Sequence, residues 1–117
     1  SAEYGTPDHA VYSASKFFVR GLTQALNIEF EAAGIQVSAI LVAYVQTPMV
    51  SDAKTKAATI EKLGVKVMPE AVAETVWKAA HGNKVLWRVG TDAMLLNLLV
   101  RLPGSWVRGI YKRLNGY

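Results

Sequence analysis

The sequence contains no cysteine. Disulfides and thiolate metal sites are thereby excluded, and a cysteine-free chain suits a reducing compartment. It also lacks a hydrophobic run long enough to cross a bilayer, which takes roughly 18 or more uninterrupted apolar residues. The best stretch, 93–100, is broken by Asn97 and closed by Arg101 and Pro103. No signal peptide opens the chain: residues 1–9 are turn-like, with Gly5, Thr6, Pro7 and Asp8 together. Beginning at Ser1 inside a loop and without an initiator Met, the chain predicts further sequence upstream. There is no Gly-x-Gly-x-x-Gly phosphate loop and no cluster with metal-ligand spacing, so no metal is expected. Together these absences predict a cytoplasmic protein.

What is present is a globular composition. Of 117 residues, 51% are hydrophobic and 19% charged, which fits one domain at most. The net charge of +4 is uneven. Residues 1–50 carry Lys16 and Arg20 against Glu3, Asp8, Glu29 and Glu31, whereas residues 51–117 carry eleven basic residues against five acidic ones. A solvated basic surface is the plain interpretation; anionic lipid or a phosphate-bearing ligand is the alternative. Nucleic acid is not expected, because the basic residues are scattered rather than clustered with aromatics.

Helical periodicity runs from His9 to about Ala33. Val11, Ala14, Phe18, Leu22, Ala25 and Phe30 share one face, and Phe17, Val19 and Ile28 make the other apolar too. A helix apolar on two sides is expected to be buried on two sides. Asp8 is the expected N-cap and Gly34 the left-handed stop. Residues 35–43, IQVSAILVA, read as a buried parallel strand. Pro48 opens a short helix. Residues 49–68, with four lysines, form a loosely packed excursion. Pro69 starts a second helix, with Val72, Val76, Ala79 and Ala80 as its buried stripe, and His81 and Gly82 end it. A short strand at 85–89 follows. Thr91 or Asp92 then caps a helix to about Leu102, and Pro103-Gly104 separates it from a last amphipathic helix ending near Leu114. Helices alternating with buried strands imply an α/β fold with a parallel sheet, and two strands read as the closing part of a larger one.

Tyr12 and Lys16 stand one helical turn apart and face the same way. An ammonium about 5 Å from a phenol, at an effective dielectric near 20, favours the phenolate by roughly 3 kcal/mol. Such a pair suits proton transfer at neutral pH. By itself the spacing also fits an ordinary surface pair. His9, three residues before Tyr12, is a solvated helix-start residue or lines the same site. His81 reads as a helix-end residue, and Trp77, Trp87 and Trp106 as core or interface anchors.

The surroundings of the pair are specific. GTPDHAV precedes Tyr12-Ser13-Ala14-Ser15-Lys16, and FFVRGLTQALNIEFEAAGIQVSAI follows. This resembles the active-site segment of the short-chain dehydrogenases/reductases, in which Tyr-x-Ala-Ser-Lys opens a long helix after a Gly- and Pro-containing turn. The resemblance implies the C-terminal portion of a Rossmann-like, doubly wound parallel sheet. Residues 1–117 would supply two strands and about four helices, and the cofactor-binding half would lie upstream. It implies NAD or NADP as cofactor and a small alcohol or carbonyl compound as substrate. Tyr12 would be the general acid/base, and Lys16 would bind the nicotinamide ribose and assist the tyrosine. At the strand end the family usually has Pro-Gly-x-Val-x-Thr. Here Val45 and Thr47 match, as cofactor contacts by resemblance, while Val42-Ala43 stands in place of Pro-Gly. The likeness extends to about Gly90, and residues 50–68 occupy the place of the family's substrate-covering loop. The family's catalytic Ser falls just before Ser1, which is out of register and is not assigned.

The resemblance also implies a homo-oligomer, dimer or tetramer, through the helix at 9–33. A competing reading is a non-enzymatic half-domain acting as an oligomerisation or interaction module. A third adds peripheral membrane contact by the basic segment 94–117, against which stands simple packing on its own subunit or on a partner.

Overall fold

A computed structural model describes residues 2–52 and 64–116. Most of the excursion expected at 49–68 lies outside the described residues. Among those described, helix α1 (Ala10–Glu29) runs into a single 3-10 turn at Glu31–Ala33. Strand β1 (Ala39–Val42), the one-turn helix α2 (Pro48–Ser51) and helix α3 (Pro69–Ala80) follow. Strand β2 (Leu86–Val89), helix α4 (Thr91–Leu99) and helix α5 (Gly104–Asn115) complete the order.

β1 and β2 pair in parallel, with Ala39 opposite Leu86 and Val42 opposite Val89. A parallel pair needs a crossover, and α2 and α3 lie within the one that joins these strands. α3 packs against both strands and α4 against β2. The chain is thus mixed α/β with a parallel sheet, as the alternation of elements implies. β1 is shorter than expected, because 35–38 makes no ladder of its own. Beyond β1, Val45 forms an isolated parallel bridge to Val67, and the Gln46 N–H donates to the Val67 carbonyl at 2.8 Å. Val67 is therefore buried, although its surroundings in the sequence read as loose.

The core collects Val67, Ala79, Val89, Ala93, Val107 and Tyr111. Two glycines permit its close approaches. A Cβ on Gly82 would meet Trp87 Cζ2 at 2.5 Å, so the glycine is the seat for the indole. Gly90, with φ of 83°, turns the chain from β2 into α4 where a Cβ would meet Val67 Cγ2 at 2.8 Å. Gly90 is also the N-cap of α4, in place of the expected Thr91 or Asp92. A residue with positive φ makes this turn at little cost only if it is glycine. The N-terminal segment is tied to α5 by Tyr4, whose ring centroid lies 4.1 Å from that of Tyr111. Burial, with the nearby Tyr4 and Glu3, pushes the Tyr111 hydroxyl up to about 12.

The expectation that fails is the double burial of α1. Val11 is 86% exposed and Phe18 67%, and Phe17, Val19, Leu22, Ile28 and Phe30 are exposed as well. Ala14 and Ala25 are also exposed. The buried residues of α1 are Ser13 and Thr23. The reason is where the rest of the chain meets the helix. The side-chain ties to α1 from outside it reach polar residues, Ser13, Arg20 and Asn27, and leave the apolar faces exposed. The helix also ends at Glu29 rather than Ala33, with Phe30 as its C-cap, although Gly34 does stop the turn in the left-handed region. Asp8 is not the cap. It sits at φ 62° and His9 takes the N-cap position, with no side chain capping the helix. On α3, Ala79 is buried as expected, but Val76, Trp77 and Ala80 are exposed.

Candidate active site

The first turn of α1 is set by the turn before it. The His9 N–H donates to the Thr6 carbonyl at 3.1 Å, and the Thr6 N–H donates to Ser13 Oγ at 3.0 Å. Ser13 is buried by this contact, so the Pro7-Asp8 turn is held against the helix face next to Tyr12. His9 Nδ1 lies 3.2 Å from the Pro7 carbonyl oxygen, and the His9 ring meets Tyr12 edge-on at 6.5 Å. His9 is therefore a neighbour of Tyr12, although an exposed one.

One turn on, the structure brings Lys16 to Tyr12. The ammonium lies 5.0 Å from the centroid of the phenol ring. Tyr12 is 53% exposed, and its hydroxyl has no protein partner among the described residues. The same holds for the Lys16 ammonium, which sits over the ring. A phenol hydroxyl and an ammonium, one turn apart and both unclaimed among the described residues, can bind two oxygen atoms of a ligand laid along the helix.

Val45 and Thr47 follow the carboxyl end of β1, where open parallel sheets receive ligands. Thr47 is the N-cap residue of α2, and its hydroxyl points back toward the Val45 carbonyl at 3.5 Å, the outer limit of a hydrogen bond. No hydrogen bond or ring contact joins this pair to Tyr12 or Lys16. The predicted residues thus form two separate pairs on two elements. An open cleft of about 220 Å³ lies elsewhere, lined by Lys66, Val67, Met68, Ala71 and residues 89–92. It takes in none of the predicted residues.

What positions α1 is a polar stripe that sequence reasoning passed over. Ser13, Arg20 and Asn27 recur every seventh residue, so they line one edge of the helix. Each holds a different part of the chain. Ser13 holds Thr6, Arg20 donates to the Ala2 carbonyl at 2.8 Å and to Glu3 Oε2 at 2.7 Å, and Asn27 donates to the Val37 carbonyl at 3.0 Å. Glu3 is the hub. Its side chain is 7% exposed, and it also accepts from Arg88 of β2 at 2.8 Å and from Asn97 of α4 at 3.3 Å. Burial alone would raise this carboxyl, but the Arg88 hydrogen bond and the charges of Arg20 and Arg88 outweigh it. With a smaller contribution from Asn97, they hold it below the usual carboxylate value. Arg20 lies one turn beyond Lys16, so this cluster fixes the helix that carries the pair. The available signal was polar residues at heptad spacing in an otherwise apolar helix. The pairing with Arg88, 85 residues away, had none.

Residues 1–58 match the sequence model for short chain dehydrogenase. The chain belongs to the short-chain dehydrogenase/reductase family. It is similar to an (S)-acetoin-forming diacetyl reductase of Staphylococcus aureus, 34% identical over 101 residues that cover 86% of this chain and 36% of that protein. It is also similar to a cis-4-hydroxycyclohexanecarboxylate dehydrogenase of Sinomonas cyclohexanicum, 33% identical over 76 residues, covering 62% of this chain and 30% of the relative. A putative ketoacyl reductase of the granaticin polyketide synthase of Streptomyces violaceoruber is 55% identical over 42 residues, 35% of this chain and 15% of its own. The chain spans about a third of the length of the first two relatives. No solved structure matches it significantly. In family terms, the matched segment contains Tyr12, Lys16, Val45 and Thr47 together with the stripe that anchors α1. No helix among the described residues is long and apolar enough to cross a membrane, and no group of three or more His, Asp or Glu could hold a metal.

Proposed function

We propose that the protein containing this chain is an NAD(P)-dependent oxidoreductase that interconverts a small alcohol and its carbonyl compound, with Tyr12 as the group that moves the proton. The observation that carries the reading is the Tyr12 hydroxyl, unclaimed among the described residues, with the Lys16 ammonium beside its ring. These residues fit the nicotinamide end of a dinucleotide. Lys16 can donate to ribose hydroxyls, and Tyr12 can donate to or accept from a substrate oxygen within hydrogen-bond reach. Val45 and Thr47, at the strand end, would present a backbone group and a hydroxyl to the carboxamide or phosphates. A bound nicotinamide supplies the hydride chemistry. In the reducing direction Tyr12 gives its proton to the carbonyl oxygen, and the positive charge of Lys16 stabilises the phenolate left behind. In the oxidising direction the same hydroxyl, as phenolate, takes the alcohol proton. Keto and hydroxy groups on small or cyclic carbon skeletons, as in the relatives' names, are the substrate class to assay first.

Replacing Tyr12 by Phe in the full gene product tests this. Turnover of NAD(P)H with such substrates is expected to fall at least a hundredfold or so, the usual weight of a positioned acid/base. Cofactor affinity, followed by fluorescence titration, should stay within about twofold. Wild-type-like turnover would remove the mechanism.

A second reading is favoured by the exposed apolar faces of α1. They would be covered by another protein surface, and a second copy of the protein is the simplest source. Sedimentation velocity of the full gene product measures this directly, and a strictly monomeric result would discard it.

A further inference from the structure

His9 stands beside the proposed catalytic pair, and the fold makes little use of its side chain. It caps no helix, and no group of three or more His, Asp or Glu that could hold a metal occurs among the described residues. The residue is exposed. Two unusual backbone conformations nevertheless place it. Asp8, at φ 62°, is the one non-glycine residue with positive φ among the described residues, a conformation that is costly for a side chain with a Cβ. His9 itself, at φ −126° and ψ 35°, is neither helical nor extended. Such conformations persist only where the surroundings hold them. Here the His9 N–H donates to the Thr6 carbonyl at 3.1 Å, and the Thr6 N–H donates to Ser13 Oγ at 3.0 Å.

The imidazole is oriented as well as placed. Its Nδ1 lies 3.2 Å from the Pro7 carbonyl oxygen. A carbonyl only accepts, so Nδ1 carries the hydrogen, and in the neutral ring Nε2 is then an acceptor. Nε2 has no protein partner among the described residues. The ring meets Tyr12 edge-on with centroids 6.5 Å apart, and no hydrogen bond joins the two side chains. The start of α1 therefore offers an acceptor at His9, a hydroxyl at Tyr12 and a cationic donor at Lys16. An acceptor is complementary to a hydroxyl, and not to a second carbonyl or a carboxylate. Because the two rings are in contact, that hydroxyl must lie close to the oxygen that Tyr12 holds.

We infer that His9 is a specificity-determining residue whose Nε2 accepts a hydrogen bond from a second hydroxyl of the substrate. The substrates are then vicinal diols and the matching hydroxy-ketones. The inference rests on the oxidoreductase reading, since Tyr12 must hold the reacting oxygen. His9 holds the neighbouring hydroxyl, which leaves the reaction unchanged, and it transfers no proton.

The test compares alcohols that differ only in that hydroxyl, at about pH 8, where free imidazole is neutral. Cyclohexane-1,2-diol is paired with 2-methylcyclohexanol, and propane-1,2-diol with butan-2-ol, so that a methyl group takes the place of the hydroxyl. The full gene product is assayed with NAD+ and with NADP+, and kcat/KM is compared within each pair. Wild type should favour the diol roughly tenfold, the weight of about one hydrogen bond. In His9→Leu that preference should fall to within about twofold of unity, through KM more than kcat, with the methyl alcohols turned over as by wild type. His9→Gln, whose amide oxygen is an acceptor, should keep part of the preference. Both variants should keep the wild-type melting temperature, because the side chain is exposed and caps nothing. The proposal is overturned if His9→Leu retains the full preference, or if it slows diol and methyl alcohol alike. Tyr12-dependent turnover with no wild-type preference for the diol removes this inference alone. An absence of turnover on every alcohol removes the oxidoreductase reading and this inference with it.

Discussion

The block of β1, β2, α3 and α4 and the long helix α1 are held in place by opposite means. In the block, apolar groups close on one another: Val67, Val89, Ala79 and Ala93 are buried where strand, bridge and helix meet. Two glycines there let the backbone come within a methyl's width of a side chain. On α1 the apolar residues face outward, and the attachments are hydrogen bonds and ion pairs along a single edge. The catalytic pair proposed above rides on the second kind of element. A packed block resists change of volume, because its neighbours cannot relax. A helix strung on polar ties resists loss of particular partners and tolerates substitution elsewhere.

Substitutions that invert this contrast would break it. The largest effect is expected in the block, at Gly90. Alanine there combines a positive φ with overpacking against Val67 and should cost about 3 kcal/mol, measured by urea unfolding. A cost near zero would mean that the bridge between Val45 and Val67 is not tight. Next comes Glu3→Ala, which leaves Arg20 and Arg88 facing each other without their carboxylate. The figure for breaking a buried pair, discounted for the partly exposed arginines, is about 2 kcal/mol. Acid sharpens this prediction. The folded-state value of Glu3 is lowered from 4.5, so its stabilisation is complete above that pH and is lost as pH falls through the lowered folded value. The gap between wild type and Glu3→Ala should therefore narrow below about pH 4.5, and a gap that stays constant into strong acid would show that the charge is not what matters. Asn27→Ala removes one tie and should cost about 1 kcal/mol. Phe18→Ser, on an open face, should change the stability of this chain by less than about 0.5 kcal/mol. A much larger loss on the chain alone would mean that the face is covered within it.

The contrast also explains what could be seen in advance. The parallel pairing, the helix order and the break at Pro103 were legible because period, β-branching and glycine/proline punctuation are local signals. Tyr12 and Lys16 were legible because one helical turn is a fixed distance. Burial of α1 was misjudged, because apolar periodicity says which faces seek cover and not whether the same chain supplies it. The caps expected at Asp8 and at Thr91 or Asp92 fell elsewhere: a positive φ takes Asp8 out of the cap position, which passes to His9, and Gly90, at its own positive φ, starts α4. Glu3 stayed hidden because its partners come from α1, β2 and α4, and no local pattern records a contact across 85 residues.

The seven-residue spacing of Ser13, Arg20 and Asn27 carries one more consequence. Three attachments along a line fix how far a rod stands off and how far it can slide. They give little leverage against its turning about that line. A roll of about 10° sweeps the tip of a tyrosine through a distance on the order of 1 Å, and misplacement by that much can slow a reaction about a hundredfold. The anchors on α1 therefore work as an axle, and whatever comes to rest against Phe18 and Leu22 sets the aim of the Tyr12 hydroxyl.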